Sequence, residues 1–274
     1  IHGRDSTKLV EAIKARHSSL AIITDSNNKS LEIIKKNLSE LNQIDFYDFW
    51  LCEDIGFDNE NIRKLNPKES LPPVISSLNI VVLTKKKKSY SNNNLPLFGI
   101  SDHIFRTFDD RPNLLTKREV RVQILADLDL PKNGVLWDIG AGCGSIGLEA
   151  LKLRPYLDLF CIDKRIGSKA LILENSKRLG VKPKFIFEED ITNILDTRNL
   201  SSFEKPNRLL IGGCDKKTKL QIINTLAQGM SVGDIIVIPI IDIQTIKELK
   251  EELEDKNFKT NLNLIQTYKS LSIA

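Results

Sequence analysis

Val135-Leu136-Trp137-Asp138-Ile139-Gly140-Ala141-Gly142-Cys143-Gly144-Ser145-Ile146-Gly147 is an apolar run that breaks into glycines and then resumes apolar residues at helical spacing. It reads as strand, tight turn and helix. Gly140, Gly142 and Gly144 lack a Cβ, so the turn can enter conformations closed to other residues. A ligand can then come against bare backbone at the start of the following helix. The expected ligand is flat, polar or charged.

Two ligands compete for such a turn. Gly142-x-Gly144-x-x-Gly147 satisfies the dinucleotide pattern. Asp138, two residues before Gly140, gives D-x-G-x-G-x-G, and an amphipathic segment precedes this strand, which favours S-adenosylmethionine. An acid at Asp138 can meet that ligand's ammonium group. Asp163, closing the next apolar run Leu159-Phe160-Cys161-Ile162, sits where a carboxylate could accept hydrogen bonds from both ribose hydroxyls of an adenosine, and this fits either ligand.

Composition bounds the class. The 274-residue chain is long enough for two domains, with 41% hydrophobic and 28% charged residues, the ordinary content of a soluble globular protein. A net charge of +4 does not by itself point to a nucleic-acid surface, and an anionic small molecule is equally compatible. Cys52, Cys143, Cys161 and Cys214 form no C-x-x-C pair, and His2, His17 and His103 do not cluster with them, so neither a metal nor a disulfide is expected. Reduced, mostly buried thiols in a cytoplasmic protein are the expectation. No apolar run approaches the ~20 residues that cross a bilayer, and no signal stretch opens the chain. A start at Ile1 without methionine reads as a fragment.

Ahead of the glycine turn, Leu9 to Arg16 is helical by spacing, Leu20 to Asp25 is a strand ending in turn chemistry, and Ser30 to Leu41 is amphipathic. Phe46 to Cys52, then Glu53-Asp54-Ile55-Gly56, then the apolar run Leu78 to Leu83 continue this α/β rhythm. Lys85 to Lys88 followed by Ser89 to Asn94 has no apolar periodicity and reads as a linker, residues 85–94. Thr116-x-x-Glu119 fits a capping box that opens a helix from Lys117 to Leu128, with Lys117, Arg118 and Arg121 leaving cations near its start.

Beyond the turn, helices Ser145–Lys152, Ser168–Leu179, Lys216–Ala227 and Ile243–Asp255 alternate with strands Leu157–Ile162, Lys184–Phe187, Arg208–Ile211 and Asp234–Pro239. This pattern predicts a parallel sheet covered on both faces, with ligands at the carboxyl ends of its strands. Asp190 is placed to reach an adenine amino group, with Ile191 beside it. Gly212-Gly213 stands where amine methyltransferases carry an Asn/Asp-Pro-Pro-aromatic motif, and it leaves room for something bulky. Lys216, Lys217 and Lys219 follow at a helix N-terminus, where carboxylates are favoured.

Gly99-Ile100-x-Asp102-x-x-Phe105, Leu115-Thr116-Lys117-x-Glu119-Val120-Arg121, Trp137-Asp138-Ile139-Gly140-Ala141-Gly142-x-Gly144-Ser145 and Ile211-Gly212-Gly213 together resemble the decarboxylating precorrin methyltransferases of cobalamin biosynthesis. The match covers roughly residues 95 to 270. His2-Gly3-Arg4-Asp5, Thr24-Asp25, Glu53 to Gly56 with Glu60, and Leu78 to Leu83 resemble the second half of a tetrapyrrole methylase domain, which that family fuses ahead of the methyltransferase. The implied fold is a class I, Rossmann-like α/β methyltransferase domain at 95–274, preceded by a partial tetrapyrrole methylase α/β domain at 1–84. The methylase's first half, with its own glycine-rich loop, is not in the sequence. Departures from the family pattern are Ser101 for proline, Leu115 for methionine, and Cys214-Asp215 for Ser-Gly. The chain also stops at Ala274, before the Asn-Pro-containing strand expected last.

The resemblance implies methylation of carbon 15, with carbon 5 in the complete fused enzyme, and loss of the ring C acetate carboxylate. The expected cofactor is S-adenosyl-L-methionine, held by Thr116, Asp138, Gly140, Ala141, Gly142, Cys143, Gly144, Asp163, Asp190 and Ile191. Arg106, Arg111, Lys117, Arg121, Gly212 and Gly213 are the expected contacts to a precorrin substrate, with no nucleic acid or membrane partner and a homo-oligomer formed through the methyltransferase domain. The macrocycle carbon is nucleophilic enough that alignment and exclusion of water, not a strong base, are required. The rivals are a class I RNA methyltransferase, a nicotinamide-dependent oxidoreductase, and, for residues 1–84 alone, a non-catalytic interaction module.

Overall fold

Helical spacing puts Leu9 and Ile13 on one face of α1 (Thr7–Lys14), and Leu31, Ile34 and Leu38 on one face of α2 (Lys29–Glu40). All five are buried in one core with Tyr47, Phe49 and Leu51 of β2 (Tyr47–Glu53) and with Val81 and Leu83 of β4 (Asn79–Lys85), alternate residues that face the same side of a strand. The computed structural model describes residues 7–24, 29–86, 95–111, 114–196 and 203–267. It divides into two units, residues 1–95 with 176–182 and residues 96–175 with 183–274.

In the first unit, β1 (Ser19–Ile23), β2, β3 (Asn61–Leu65) and β4 form a sheet in the order β1-β4-β2-β3, antiparallel throughout. The expected strand at Leu20 ends earlier, at Ile23, and Asp25 lies outside the described residues. The Glu53-Asp54-Ile55-Gly56 motif closes β2 and opens the loop to β3. Gly56 sits at φ +85° and donates its N–H to Glu60. Trp50 of β2 is half-buried and donates its ring N–H to the Thr84 hydroxyl at 3.0 Å. The linker expectation needs correction at its start, since Lys85 closes β4 and Lys86 donates its backbone N–H to the Phe46 carbonyl. Residues 87–94 lie outside the described residues.

The second unit alternates as its sequence predicts. Its helices are α3 (Arg118–Asp127), α4 (Ser145–Leu153), α5 (Ser168–Leu179), α6 (Ile191–Asp196), α7 (Lys216–Leu226) and α8 (Ile243–Asp255). Its strands are β5 (Asn133–Ile139), β6 (Tyr156–Asp163), β7 (Phe185–Glu188), β8 (Arg208–Ile211) and β9 (Ile235–Val237). They form one parallel sheet in the order β7-β6-β5-β8-β9. The core centres on Trp137, Phe160, Leu209 and Ile211, with the Trp137 and Phe160 rings stacked at 5.4 Å.

The segment ahead of α3 is held by charge. Arg121 of α3 and Glu149 of α4 are fully buried, and Nε of the arginine lies 2.8 Å from the glutamate Oε2. The other glutamate oxygen accepts the backbone N–H groups of Gly99 and Ile100. The remaining guanidinium donors reach the Ile100 carbonyl, the Thr116 carbonyl at 2.6 Å and Asp102 Oδ1 at 3.2 Å. Phe105 lies under the guanidinium at 4.8 Å. This corrects two expectations. Arg121 is not a substrate contact, because its side chain is fully buried and four of its five N–H donors are bonded inside the fold. The capping box does not form either, since α3 starts from Lys117 with no side-chain cap.

Breaking one partner of this pair would strand the other's buried charge. We predict that Arg121→Met costs about 3–5 kcal/mol in urea denaturation, and that adding Glu149→Leu recovers a large part of it.

Candidate functional site

The chain runs from β5 out to β6 and β7, then crosses back to β8 and β9 on the other side of β5. A parallel sheet that reverses in this way opens a crevice at the carboxyl ends of the two central strands, here β5 and β8. The glycine turn fills that crevice, and its glycines differ in what they do. Gly140, at φ +75°, lies so close to β8 that an added Cβ would stand 2.2 Å from the Gly212 carbonyl oxygen. A Cβ on Gly147 would stand 2.8 Å from Asp138 Oδ2 and 2.9 Å from Leu159, so this glycine brings α4 onto the sheet. Gly142, at φ +58°, has nothing within 4 Å of its Cβ position. That is the bare backbone a ligand can approach.

A cleft beside the turn is lined by Gly140, Asp163, Asp190, Ile191 and Gly213 among the expected site residues, and also by Lys164, Arg165 and Asp215. The buried Asp163 carboxylate accepts the Gly142 N–H at 2.7 Å and Arg165 Nη1 at 3.1 Å on Oδ2, and the Arg165 backbone N–H at 2.9 Å on Oδ1. Asp190 accepts from the Thr192 N–H and hydroxyl and, at 3.2 Å, from Lys164 Nζ. The Thr192 N–H first, and then these other donors against some desolvation, hold its carboxyl below the usual carboxylate range.

Asp138 stands apart from the expectation made for it. It is 2% exposed, and its Oδ2 accepts the Gly147 N–H at 3.1 Å, so the carboxylate anchors α4 to β5 instead of facing the cleft. Burial pushes its carboxyl up to about 7, against the lowering effect of the Gly147 N–H, with the Asp163 charge adding to the rise. The N-terminus of α7 is also already occupied, because Asp215 caps it by accepting the Thr218 N–H at 2.8 Å. Lys216 pairs with Glu248, and the buried Lys219 donates to the Cys214 carbonyl. These groups therefore do not form the carboxylate site expected there. Gly212 is taken up by packing against Gly140, while Gly213 remains on the cleft.

Thr116, Arg106, Arg111 and Lys117 do not line the cleft. Arg106, Arg111 and Lys117 are exposed, with Arg106 Nε 3.2 Å from Glu174 and Arg111 Nε 3.6 Å from Asp110. Ala141 donates its N–H to the Ile162 carbonyl, and the buried Cys143 presents its carbonyl to Asn175. Asn175 was not singled out from the sequence. It is fully buried on α5, donates to the Cys143 and Arg106 carbonyls at 2.9 Å each, and accepts the Arg106 N–H at 2.7 Å. Its signal was a polar residue on the stripe Ser168, Ile172, Asn175 that helical spacing turns inward. Lys164 and Arg165 were also missed, although they directly follow the acid that closes β6.

A parallel sheet in this order, with a glycine turn at its switch point and an acid closing the next strand, defines a Rossmann-like class I methyltransferase domain. The chain belongs to the precorrin methyltransferase family, whose domain model matches residues 107–271. The probable cobalt-precorrin-6B C(15)-methyltransferase (decarboxylating) of Saccharolobus solfataricus is 31% identical over 175 residues, 63% of this chain and 84% of that protein. A precorrin-6Y C(5,15)-methyltransferase [decarboxylating] from a Sinorhizobium species is 33% identical over 120 residues, 43% of this chain and 27% of that protein. The crystal structure of precorrin-6Y C5,15-methyltransferase from Geobacter metallireducens superposes with a TM-score of 0.52 at 28% identity, covering 61% of this chain and 84% of that one.

The raised Asp138 carboxyl sets a pH dependence. Between the unfolded value near 4 and the folded value of about 7 the native state holds a proton that the unfolded chain does not, so stability is lost as pH rises through that window. Asp138→Asn is neutral throughout and removes the effect. Thermal melts at pH 5 and pH 8 should show the variant gaining on the parent at the higher pH, by up to about 3 kcal/mol, because about two pH units of the window lie between them.

Proposed function

We propose that the second unit transfers a methyl group from S-adenosyl-L-methionine to carbon 15 of a precorrin macrocycle, with loss of the ring C acetate carboxylate, in cobalamin biosynthesis. The observation that carries this reading is the cleft at the switch point, lined by the carboxylates of Asp163 and Asp190, with Asp163 tied to the open backbone of Gly142. The residues fit the cofactor. Asp163 Oδ1 accepts one hydrogen bond and keeps a lone pair for a ribose hydroxyl, and no Cβ blocks the turn at Gly142.

Bound there, the cofactor would supply a methyl already activated by its sulfonium. The chain's own part is then to align, to desolvate and to hold charge. Asp163 takes the ribose, Asp190 and Ile191 the adenine, and the backbone of Gly140 to Gly144, with Thr116, the remainder. Arg106, Arg111 and Lys117, exposed on the segment ahead of α3 and at its N-cap, hold carboxylates of the macrocycle while Gly213 gives it room to approach. Asn175 fixes the backbone of Arg106 relative to the glycine turn. Residues 1–84 are read as the second half of a tetrapyrrole methylase domain, a reading that rests on their motifs, and such a domain would serve carbon 5 in a complete fused enzyme. No helix among the described residues is long and apolar enough to cross a membrane. A homo-oligomer is expected, and light scattering measures it.

Isothermal calorimetry tests the cofactor half. S-adenosylhomocysteine should bind and NADH should not, and Asp163→Ala should weaken binding by roughly 1.5–3 kcal/mol, the worth of a charged hydrogen bond. Equal affinity for parent and variant would reject the assignment. Incubation with a precorrin substrate, read by mass spectrometry, should show gain of a methyl together with loss of carbon dioxide.

A further inference from the structure

Asp163 Oδ2 has two lone pairs, and both are in use. One accepts the Gly142 N–H at 2.7 Å and the other Arg165 Nη1 at 3.1 Å, while Oδ1 accepts the Arg165 backbone N–H. A ribose diol that donates both hydroxyls to this carboxylate needs one acceptor position on each oxygen. Oδ1 has one to give, and Oδ2 has none until a donor leaves. The Gly142 N–H belongs to the turn itself and cannot withdraw without moving it. The Arg165 side chain is one-third exposed, and it can swing into solvent.

We propose that Arg165 is an internal occupant of the ribose site, displaced when the cofactor binds and thereby freed to take a carboxylate of the acidic substrate. The inference rests on the reading of this cleft as the cofactor site. Three features place the freed cation where a substrate would meet it. Arg165 lines the cleft. Lys164 on one side is exposed and paired with Asp190, another acid of the cleft. Ile166 on the other side is 91% exposed, an apolar surface beside the cation that suits the face of a macrocycle. The pair Lys164-Arg165 thus neutralises two of the acids that line the cleft, Asp163 and Asp190. Ligand arrival converts an internal ion pair into a cation at the mouth, so cofactor binding and substrate binding favour one another, cofactor first.

The test uses calorimetry on the full chain with S-adenosylhomocysteine and its 2′-deoxyribose analogue, which donates one hydroxyl and can use Oδ1 alone. Arg165→Ala should bind the diol ligand about two- to fivefold more tightly than the parent, the worth of one partly exposed pair, with little gain for the deoxy ligand. A general change in charge would shift both ligands alike. Arg165→Lys, which keeps the cation, serves as a second variant should alanine disturb the turn, and should lie between the two. In the second arm, uroporphyrin, a polycarboxylate tetrapyrrole, should quench the parent's fluorescence at lower concentration when S-adenosylhomocysteine is saturating, and Arg165→Ala should lose that enhancement. Equal diol affinity in parent and variants overturns the internal-occupant proposal while leaving the cofactor assignment standing. An enhancement that survives in Arg165→Ala overturns the substrate role. Failure of the parent to bind S-adenosylhomocysteine overturns both this proposal and the function on which it rests.

Discussion

The buried pair of Arg121 and Glu149 sets the conditions for the rest of the second unit. Two charges with no solvent access survive only when their remaining hydrogen-bonding capacity is met, and here the backbone of Gly99, Ile100 and Thr116 meets it. An irregular segment is thereby fixed against α3 and α4. Glu149 lies on the same helix that begins at the glycine turn, so the ion pair and the cleft share one rigid element. Asn175 joins the middle of that segment, at Arg106, to the turn at Cys143. The cleft is therefore built on the sheet but framed by polar contacts from residues well separated in sequence.

Much of this was legible beforehand, for identifiable reasons. Helices α5 and α8 and strand β8 fall on the residues expected for them, because apolar periodicity and burial coincide there. The parallel sheet and the glycine turn followed from the same alternation. What misled was local chemistry with more than one use. Thr116 and Glu119 have the spacing of a capping box, yet Lys117 is the N-cap and the Thr116 carbonyl is claimed by Arg121. Arg121 was read among the cations of an exposed helix start, and nothing local in the sequence reveals Glu149 twenty-eight residues on as its partner. Strand β3 and helix α6 were not anticipated. Both are short, and Asn-Ile-Arg-Lys-Leu has too few apolar residues to declare a strand before its register with β2 is known.

The glycines of the turn show how one residue type meets different demands. At Gly140 and Gly147 the missing Cβ admits another part of the protein, whereas at Gly142 it leaves space unfilled. The acids divide similarly. Asp138 lies within the packing of α4 on β5 and Asp163 on the cleft, although from the sequence both looked like ligand contacts. Position along a strand told where each carboxylate would be, but not what its nearest donor would be.

The two tryptophans fall one to each unit, Trp50 half-buried beside Thr84 and Lys64 in the first and Trp137 buried against Phe160 in the second. An indole in contact with a hydroxyl and an ammonium emits at longer wavelength than one enclosed by aromatic rings. The intrinsic emission of this protein therefore contains two spectrally distinct reporters, one for each unit. Replacing either tryptophan by phenylalanine would isolate the signal of the other, and would let the order in which the units melt be followed without an added dye.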